Sequence, residues 1–210
     1  MVNKMTENSG KEGNEMGDRK PNERANIKVT GHVLIRDKQT GEVLLDKFNS
    51  IHFENYSLAV ARSLANKSNG PIERIYYGNG GSTVNGIGEI TYLPANTIGQ
   101  SADLYNATYS KIVDDENISN PDPENNKMEV SHVSGNLFSD IVITTTLDFG
   151  EPSGQDNFDT ASSTESTFVF DEIGLKDYAG NMITHVIFHP IQKSLNREIE
   201  IVYSLRNQLV

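Results

Sequence analysis

Hydrophobic and polar residues alternate along much of this chain with a period of two, which is typical of strands that bury one face. The alternation begins at Ile27 and continues through Ile35. A polar loop with Gly41 follows, and residues 42–48 alternate again. Because a glycine in such a loop supplies the backbone angles of a tight turn, the two runs predict a β-hairpin.

Further strand-like runs follow, rich in β-branched and aromatic residues and bounded by turn-forming residues. They lie at 72–77, 127–133, 138–148, 167–175, 182–188 and 197–205. Residues 103–113 fit either a strand or a helix, and residues 82–102 are expected to form a long loop. Pro190 is expected to end the run before it, since proline cannot donate to a strand ladder. The last run alternates cleanly, and at a sheet edge it would offer a partner strand a place to pair.

One helix is predicted, over residues 55–66, where good helix formers cluster. Asn66 and Gly70 are expected to mark its end. Its predicted apolar stripe comprises Leu58, Ala61, Leu64 and Ala65. Seven or eight strands with one short helix predict a mostly β fold, an antiparallel β-sandwich or partly closed barrel.

Residues 1–26 contain almost nothing apolar, so burial cannot offset the entropy lost on ordering them. They predict an extended N-terminal arm that serves assembly, ahead of a single β-sandwich domain at 27–210. The composition also lacks cysteine, which suits a reducing compartment such as a cytoplasm. No apolar run reaches about 18 residues and no signal-peptide core is visible, so neither membrane spanning nor classical secretion is expected.

The charge pattern bears on possible partners. The net charge is −11, and residues 103–160 carry twelve acids against two bases. Because nucleic-acid affinity depends on clustered Lys and Arg that release counterions, a nucleic-acid role is not expected.

Three patterns in the sequence resemble chemical sites. His185 and His189 have the His-x-x-x-His spacing that suits zinc on a helix, but on a strand they would lie about 13 Å apart, which favours surface or satisfied histidines. The acidic loop at 114–126 could offer oxygens to calcium, but it lacks the EF-hand register, which favours a solvated acidic face. The glycines at 78–82 follow a strand without the lysine and helix of a phosphate loop, which favours a tight corner.

Ser, His and Asp all occur, but there is no Gly-x-Ser-x-Gly elbow and no pair of carboxylates is singled out as acid and base. The sequence therefore predicts no catalytic, cofactor-binding or metal-binding residues. It favours a protein that is not an enzyme.

Two groups of segments carry a resemblance to a known class of protein. The first comprises Phe168–Lys176, Ala179–His185 and Phe188–Lys193. The second comprises Gly31–Asp37, Gly41–Leu45, Asn49, the helix and Tyr77–Gly81. Together they resemble virion structural proteins of tailed bacteriophages, the small tail, neck and fibre-attachment components. The arm at 1–26 and the acidic loops at 114–126 and 150–163 depart from that pattern.

The resemblance implies a component of the neck, collar, tail or baseplate that forms rings or connects subunits and fibres. It implies homo-oligomers, other virion proteins as partners, and synthesis in the host cytoplasm before incorporation into the virion. Two alternatives stay open, a capsid decoration protein and a carbohydrate-binding or depolymerising module for the host surface. The candidate aromatics of such a module are Tyr76, Tyr77, Tyr105 and Tyr109.

Overall fold

A computed structural model describes residues 26–152 and 167–210, with Thr167 described for its backbone alone. Two five-stranded antiparallel sheets enclose a shared core, so the prediction of a mostly β, sandwich-like fold is confirmed. The strands are β1 (Ile27–Asp37), β2 (Val43–Phe48), β3 (Ser50–Ile51), β4 (Ile72–Gly78), β5 (Ser82–Val84), β6 (Ile90–Tyr92), β7 (Ala107–Ile112), β8 (Lys127–Ser131), β9 (Phe138–Leu147), β10 (Thr167–Asp177), β11 (Met182–Ser194) and β12 (Ile199–Leu209). Helix α1 (Phe53–Leu64) lies between β3 and β4.

The first sheet has the order β2-β1-β12-β9-β8. Strand β12 therefore lies at its centre, so the condition under which it could pair with a partner strand, a position at a sheet edge, is not met. Its alternation is as predicted, because Ile199, Ile201, Tyr203 and Leu205 are all fully buried. The two edges of this sheet are β2 and β8.

The second sheet has the order β3-β11-β10-β4-β7. Phe170 lies at its centre, with its ring edge-on to those of Tyr77 and Phe188. The prediction of a long loop at 82–102 is partly wrong, because β5 and β6 pair there as a separate hairpin. The ambiguous run at 103–113 contains strand β7.

Strand β11 continues through Pro190, so the prediction that this proline ends the strand is wrong. Phe170 pairs with Ile191 and Glu172 pairs with Ile187, which leaves residues 188–190 opposite Asp171 alone. The ladder is interrupted by this bulge, and a residue without an N–H can lie there at little cost.

Helix α1 begins and ends two residues earlier than predicted. The side chain of His52 caps its N-terminus by accepting a hydrogen bond from the backbone N–H of Asn55 at 3.2 Å. Asn66 follows the helix in the left-handed region, with φ of 54°, as expected for a residue that ends a helix.

The predicted apolar stripe of α1 is wrong. The helix buries Asn55, Tyr56 and Ala59, whereas Leu58 is 39% exposed and Leu64 is 85% exposed. The polar residues on the buried face have partners, because Asn55 Nδ2 donates to the carbonyl of Met182 at 2.9 Å and the Tyr56 hydroxyl donates to Asn207.

Of the predicted arm at 1–26, residues 1–25 lie outside the described part of the chain, as do residues 153–163 of the second acidic loop. The single-domain boundary at 27–210 stays a prediction.

Candidate docking groove

The glycine corner between β4 and β5 surrounds carboxylates of the protein itself. Asp171 accepts hydrogen bonds from the backbone N–H groups of Gly81 at 2.9 Å and Ser82 at 2.7 Å. Glu172 accepts from the N–H of Gly80 at 3.1 Å. Two consecutive residues of β10 reach the same corner at the point where the bulge in β11, opposite Asp171, interrupts the ladder. The corner therefore ties the hairpin to the second sheet.

Glu172 and His185 are both fully buried, with Glu172 Oε2 2.9 Å from His185 Nε2. Glu172 also accepts from the N–H groups of Tyr105 at 2.9 Å and Asn106 at 2.7 Å. Burial would raise the pKa of Glu172, but the hydrogen bonds from His185 and from the backbone outweigh it and lower the pKa. The charge of Glu172 is thus compensated by four donors.

His185 Nδ1 accepts from the backbone N–H of Asn96 at 2.8 Å, so its Nε2 carries the proton that it donates to Glu172. His189, in contrast, is exposed and lies 3.1 Å from the hydroxyl of Tyr92. The structure does not bring the two histidines to a common site.

The acidic loop at 114–126 is organised by hydrogen bonds within the loop and by one from Tyr178. Asp114 accepts from the hydroxyl of Tyr178 at 2.6 Å and from the N–H of Glu116 at 2.9 Å. Asn120 and Asp122 join residues of the same loop in a similar way. Within residues 26–152 and 167–210, no three His, Asp or Glu side chains are grouped to hold a metal ion.

A third buried polar cluster anchors the chain where β9 ends. Lys193, 1% exposed, donates to the carbonyl oxygens of Asp148 at 2.8 Å, Glu151 at 2.9 Å and Ser194 at 2.9 Å. Burial lowers the pKa of Lys193 to about 8. Lys111 lies 2.6 Å from the carboxylate of Glu151. Both lysines thus hold the turn that follows β9.

The four candidate tyrosines do not share one surface. Tyr77 is fully buried beside Phe170, and Tyr109 packs against the same core. Tyr76 lies beneath the amine of Lys176 at 4.4 Å. Tyr105 is 42% exposed.

A feature that sequence reasoning missed is an apolar groove of about 880 Å³ between α1 and the first sheet. Its floor is formed by the ends of β1, β9 and β12, one wall by α1, and the other wall by β8 and the turn after it. Of the second sheet, Ile72 and Ile183 reach it.

The floor is the part of the inner face of the first sheet that the second sheet does not cover. In β1, Val33 is fully buried, but Ile27 on the same face is 61% exposed. In β12, Leu205 is fully buried, but Leu209 on the same face is 48% exposed. Because side chains two residues apart share a face, these apolar residues belong to the core side of the sheet and still meet solvent.

The helix wall follows a second stripe of α1. Phe53, Ser57, Val60 and Leu64 are spaced by four, three and four residues, so they share one face, and all four line the groove. Phe53 is 71% exposed. This spacing was a readable signal, but a helix expected to begin at residue 55 leaves Phe53 outside it.

The opposite wall carries two further exposed apolar side chains, Val130 at 74% and Leu137 at 69%. His132 braces this wall, because its Nδ1 lies 3.1 Å from the carbonyl oxygen of Phe138 and 3.0 Å from Ser139 Oγ. Both walls therefore present large apolar groups that face solvent.

The described residues that line the groove include no Asp, Glu, Lys or Arg, although 47 of the 210 residues of the chain are charged. Contiguous apolar surface of this kind is typical of sites that bind a protein, a membrane or a ligand. The groove is suited to bind an apolar, uncharged surface through burial and offers no charge to an ionic ligand.

Comparisons with protein-family models, with curated proteins and with solved structures find no match to this chain. Among the described residues, no helix has the length and apolar character needed to cross a membrane.

Proposed function

We propose that this protein is a structural component of a tailed-bacteriophage virion, a ring-forming or connecting subunit of the neck, tail or baseplate. Its work is to hold neighbouring subunits or fibres and involves no catalysis. The resemblance of the two groups of segments to virion proteins supports the phage assignment. The uncovered inner face of the first sheet, at the groove, carries the assembly role.

The physical reason is the cost of leaving apolar groups in water. A monomeric soluble protein rarely exposes one contiguous apolar patch beyond a few hundred Å². Here six large apolar side chains line one groove and are about half exposed or more, namely Ile27, Phe53, Leu64, Val130, Leu137 and Leu209. A subunit whose surface is completed by a neighbour has this property.

The sheet edge beside the groove supports the same role. Strand β8 is an edge of the first sheet. Met128 and Val130 of this strand line the groove, as does His132, which directly follows it. An edge strand presents unpaired N–H and C=O groups that an added strand can pair with. Apolar burial and backbone pairing can therefore act together at this place.

The test is to locate the protein on virions. Purified particles of the phage that encodes the chain are labelled with antibodies raised against it and imaged by electron microscopy, and their composition is measured by mass spectrometry. Label at the neck, tail or baseplate is expected. Label spread over the capsid shell would contradict the proposal and would indicate a capsid decoration protein. Particles that lack the protein would refute a virion role.

A further inference from the structure

We infer that the groove is filled by a second copy of this chain, in a two-fold contact that places the groove-side stripe of α1 of each copy in the groove of the other. The inference rests on the proposed function, because it names the partner of the same docking surface. It is argued from area, shape and charge.

The exposed apolar residues at the groove and on its rim can supply much of one side of a stable interface. At the exposed fractions given above, these six residues expose at most roughly 700 Å² in all directions, and a standard interface buries roughly 800 Å² on each partner. A small ligand would cover only part of this area. A protein surface of similar size would cover it.

The shape of the patch satisfies the condition for a two-fold contact. Such a contact uses the same surface on both copies, so the surface must carry both a projecting and a receding part. Leu64, at the end of α1, projects with 85% of its surface exposed, and the groove lies directly beside it. A helix edge can thus enter the groove of the partner while the partner's helix edge enters its own.

Charge favours a second copy over two other occupants. A basic or nucleic-acid partner would need charged groups in the groove, and its described lining residues include no Asp, Glu, Lys or Arg. Residues 1–25 of the same chain contain ten charged residues, and Met1, Val2, Met5 and Met16 are their large apolar ones, so they match an apolar groove poorly. Although each copy carries a net charge of −11, the described lining of the groove brings no Asp or Glu of one copy against the other.

The first experiment measures oligomeric mass by sedimentation over a range of concentrations. The wild-type chain of 23.2 kDa is expected to form dimers, or larger assemblies built from them. Leu64→Glu is expected to weaken association roughly 100-fold or more, since a two-fold contact contains the change twice. The matched control is Ile87→Glu, at a side chain that is 88% exposed and outside the groove. Ile87→Glu should retain the wild-type melting temperature at every concentration, because its side chain is exposed and outside the groove. Leu64→Glu should match the wild type at concentrations where both are monomeric and should lose only the stabilisation that association adds at higher concentrations.

The second experiment uses the absence of cysteine in the chain. Two differently tagged single-cysteine variants, Leu64→Cys and Leu137→Cys, are mixed and oxidised. A disulfide between the two tags is expected, and it must join two chains because each carries one cysteine. Ile87→Cys mixed with Leu137→Cys serves as the control.

The outcomes separate this inference from the proposed function. A monomer at all concentrations, or an oligomer that is insensitive to Leu64→Glu, would overturn the two-fold contact even if the protein is found in virions. Dimers that meet the expectations above would support it even if virions lack the protein. Dimerisation that appears only after residues 1–25 are deleted would show that the groove is covered by its own chain, which also overturns the inference.

Discussion

The carboxylate of Glu172 lies 2.9 Å from Nε2 of His185, and neither side chain is exposed. The backbone N–H groups of Gly80, Tyr105 and Asn106 complete the shell around the carboxylate. These donors come from chain segments that flank the β5–β6 hairpin. The buried carboxylate of Glu172 therefore holds both ends of the segment between β4 and β7 against the second sheet.

Replacement of Glu172 by Gln should destabilise the protein by about 2–4 kcal/mol, because an amide nitrogen would then face donors that lose their acceptor. The free energy of unfolding in urea measures the effect. The control is Glu116→Gln, at an exposed residue, which should stay within about 0.5 kcal/mol of the wild type. Equal stability of the two variants would contradict the structural role of Glu172.

Replacement of Gly78 by Ala should destabilise the protein by about 1–3 kcal/mol, since overpacking forces neighbouring groups to move. A Cβ at this position would lie 2.5 Å from the carbonyl oxygen of Asn106 and 2.5 Å from Glu172 Oε1. Gly86→Ala is the matched control, because nothing lies within 4 Å of its Cβ position and its φ is not in the left-handed region. Equal urea midpoints for the two variants would show that the close contacts at Gly78 do not affect stability.

Replacement of Lys193 by Met should cost about 1–3 kcal/mol, because three part-buried carbonyl oxygens would each lose the hydrogen bond that the amine donates. The thermal midpoint should fall by several degrees. Lys38→Met, at an exposed lysine, should leave it unchanged. An unchanged melting temperature for Lys193→Met would show that the hydrogen bonds from the amine do not stabilise this turn.

The lowered pKa of Asp37 is expected to make the free energy of unfolding fall in acid. The backbone N–H of Thr40 and the side chain of Arg197, at 2.8 and 2.6 Å, lower the pKa of Asp37 from 3.8 to about 2. Between these values the unfolded chain binds the proton more tightly, so the stabilisation is present above pH 3.8 and is lost as the pH falls to about 2. Asp37→Asn should show a smaller decline than the wild type over this window in urea unfolding. Parallel declines would contradict this origin.

Period-two alternation revealed most of the strands, because each strand in an antiparallel sandwich buries one face. Strand β12 shows this best, since the clean alternation of its run predicted one buried face. The corner at 78–82 was likewise read as a tight corner from its glycines. Its partners, Asp171 and Glu172, could not be read, because they lie about 90 residues away and depend on a bulge.

The errors share a physical origin in long-range contacts. The buried face of α1 contains Asn55 and Tyr56, which are tolerated because Met182 and Asn207 supply hydrogen-bond partners from distant strands. Strand β11 passes through Pro190 because the bulge opposite Asp171 interrupts the ladder. The groove depends on where one sheet ends relative to the other, a relationship that no local pattern encodes.

The central position of β12 also bears on synthesis. This strand joins the β1–β2 hairpin to the β8–β9 hairpin, and Ile27 pairs with Leu209. A ribosome must therefore release about 170 residues after β1 before that sheet can close, and such distant pairing slows folding. A translation product that stops before Ile199 keeps two unconnected hairpins and lacks part of the groove floor. Unfinished chains therefore lack the complete groove through which finished chains are proposed to associate.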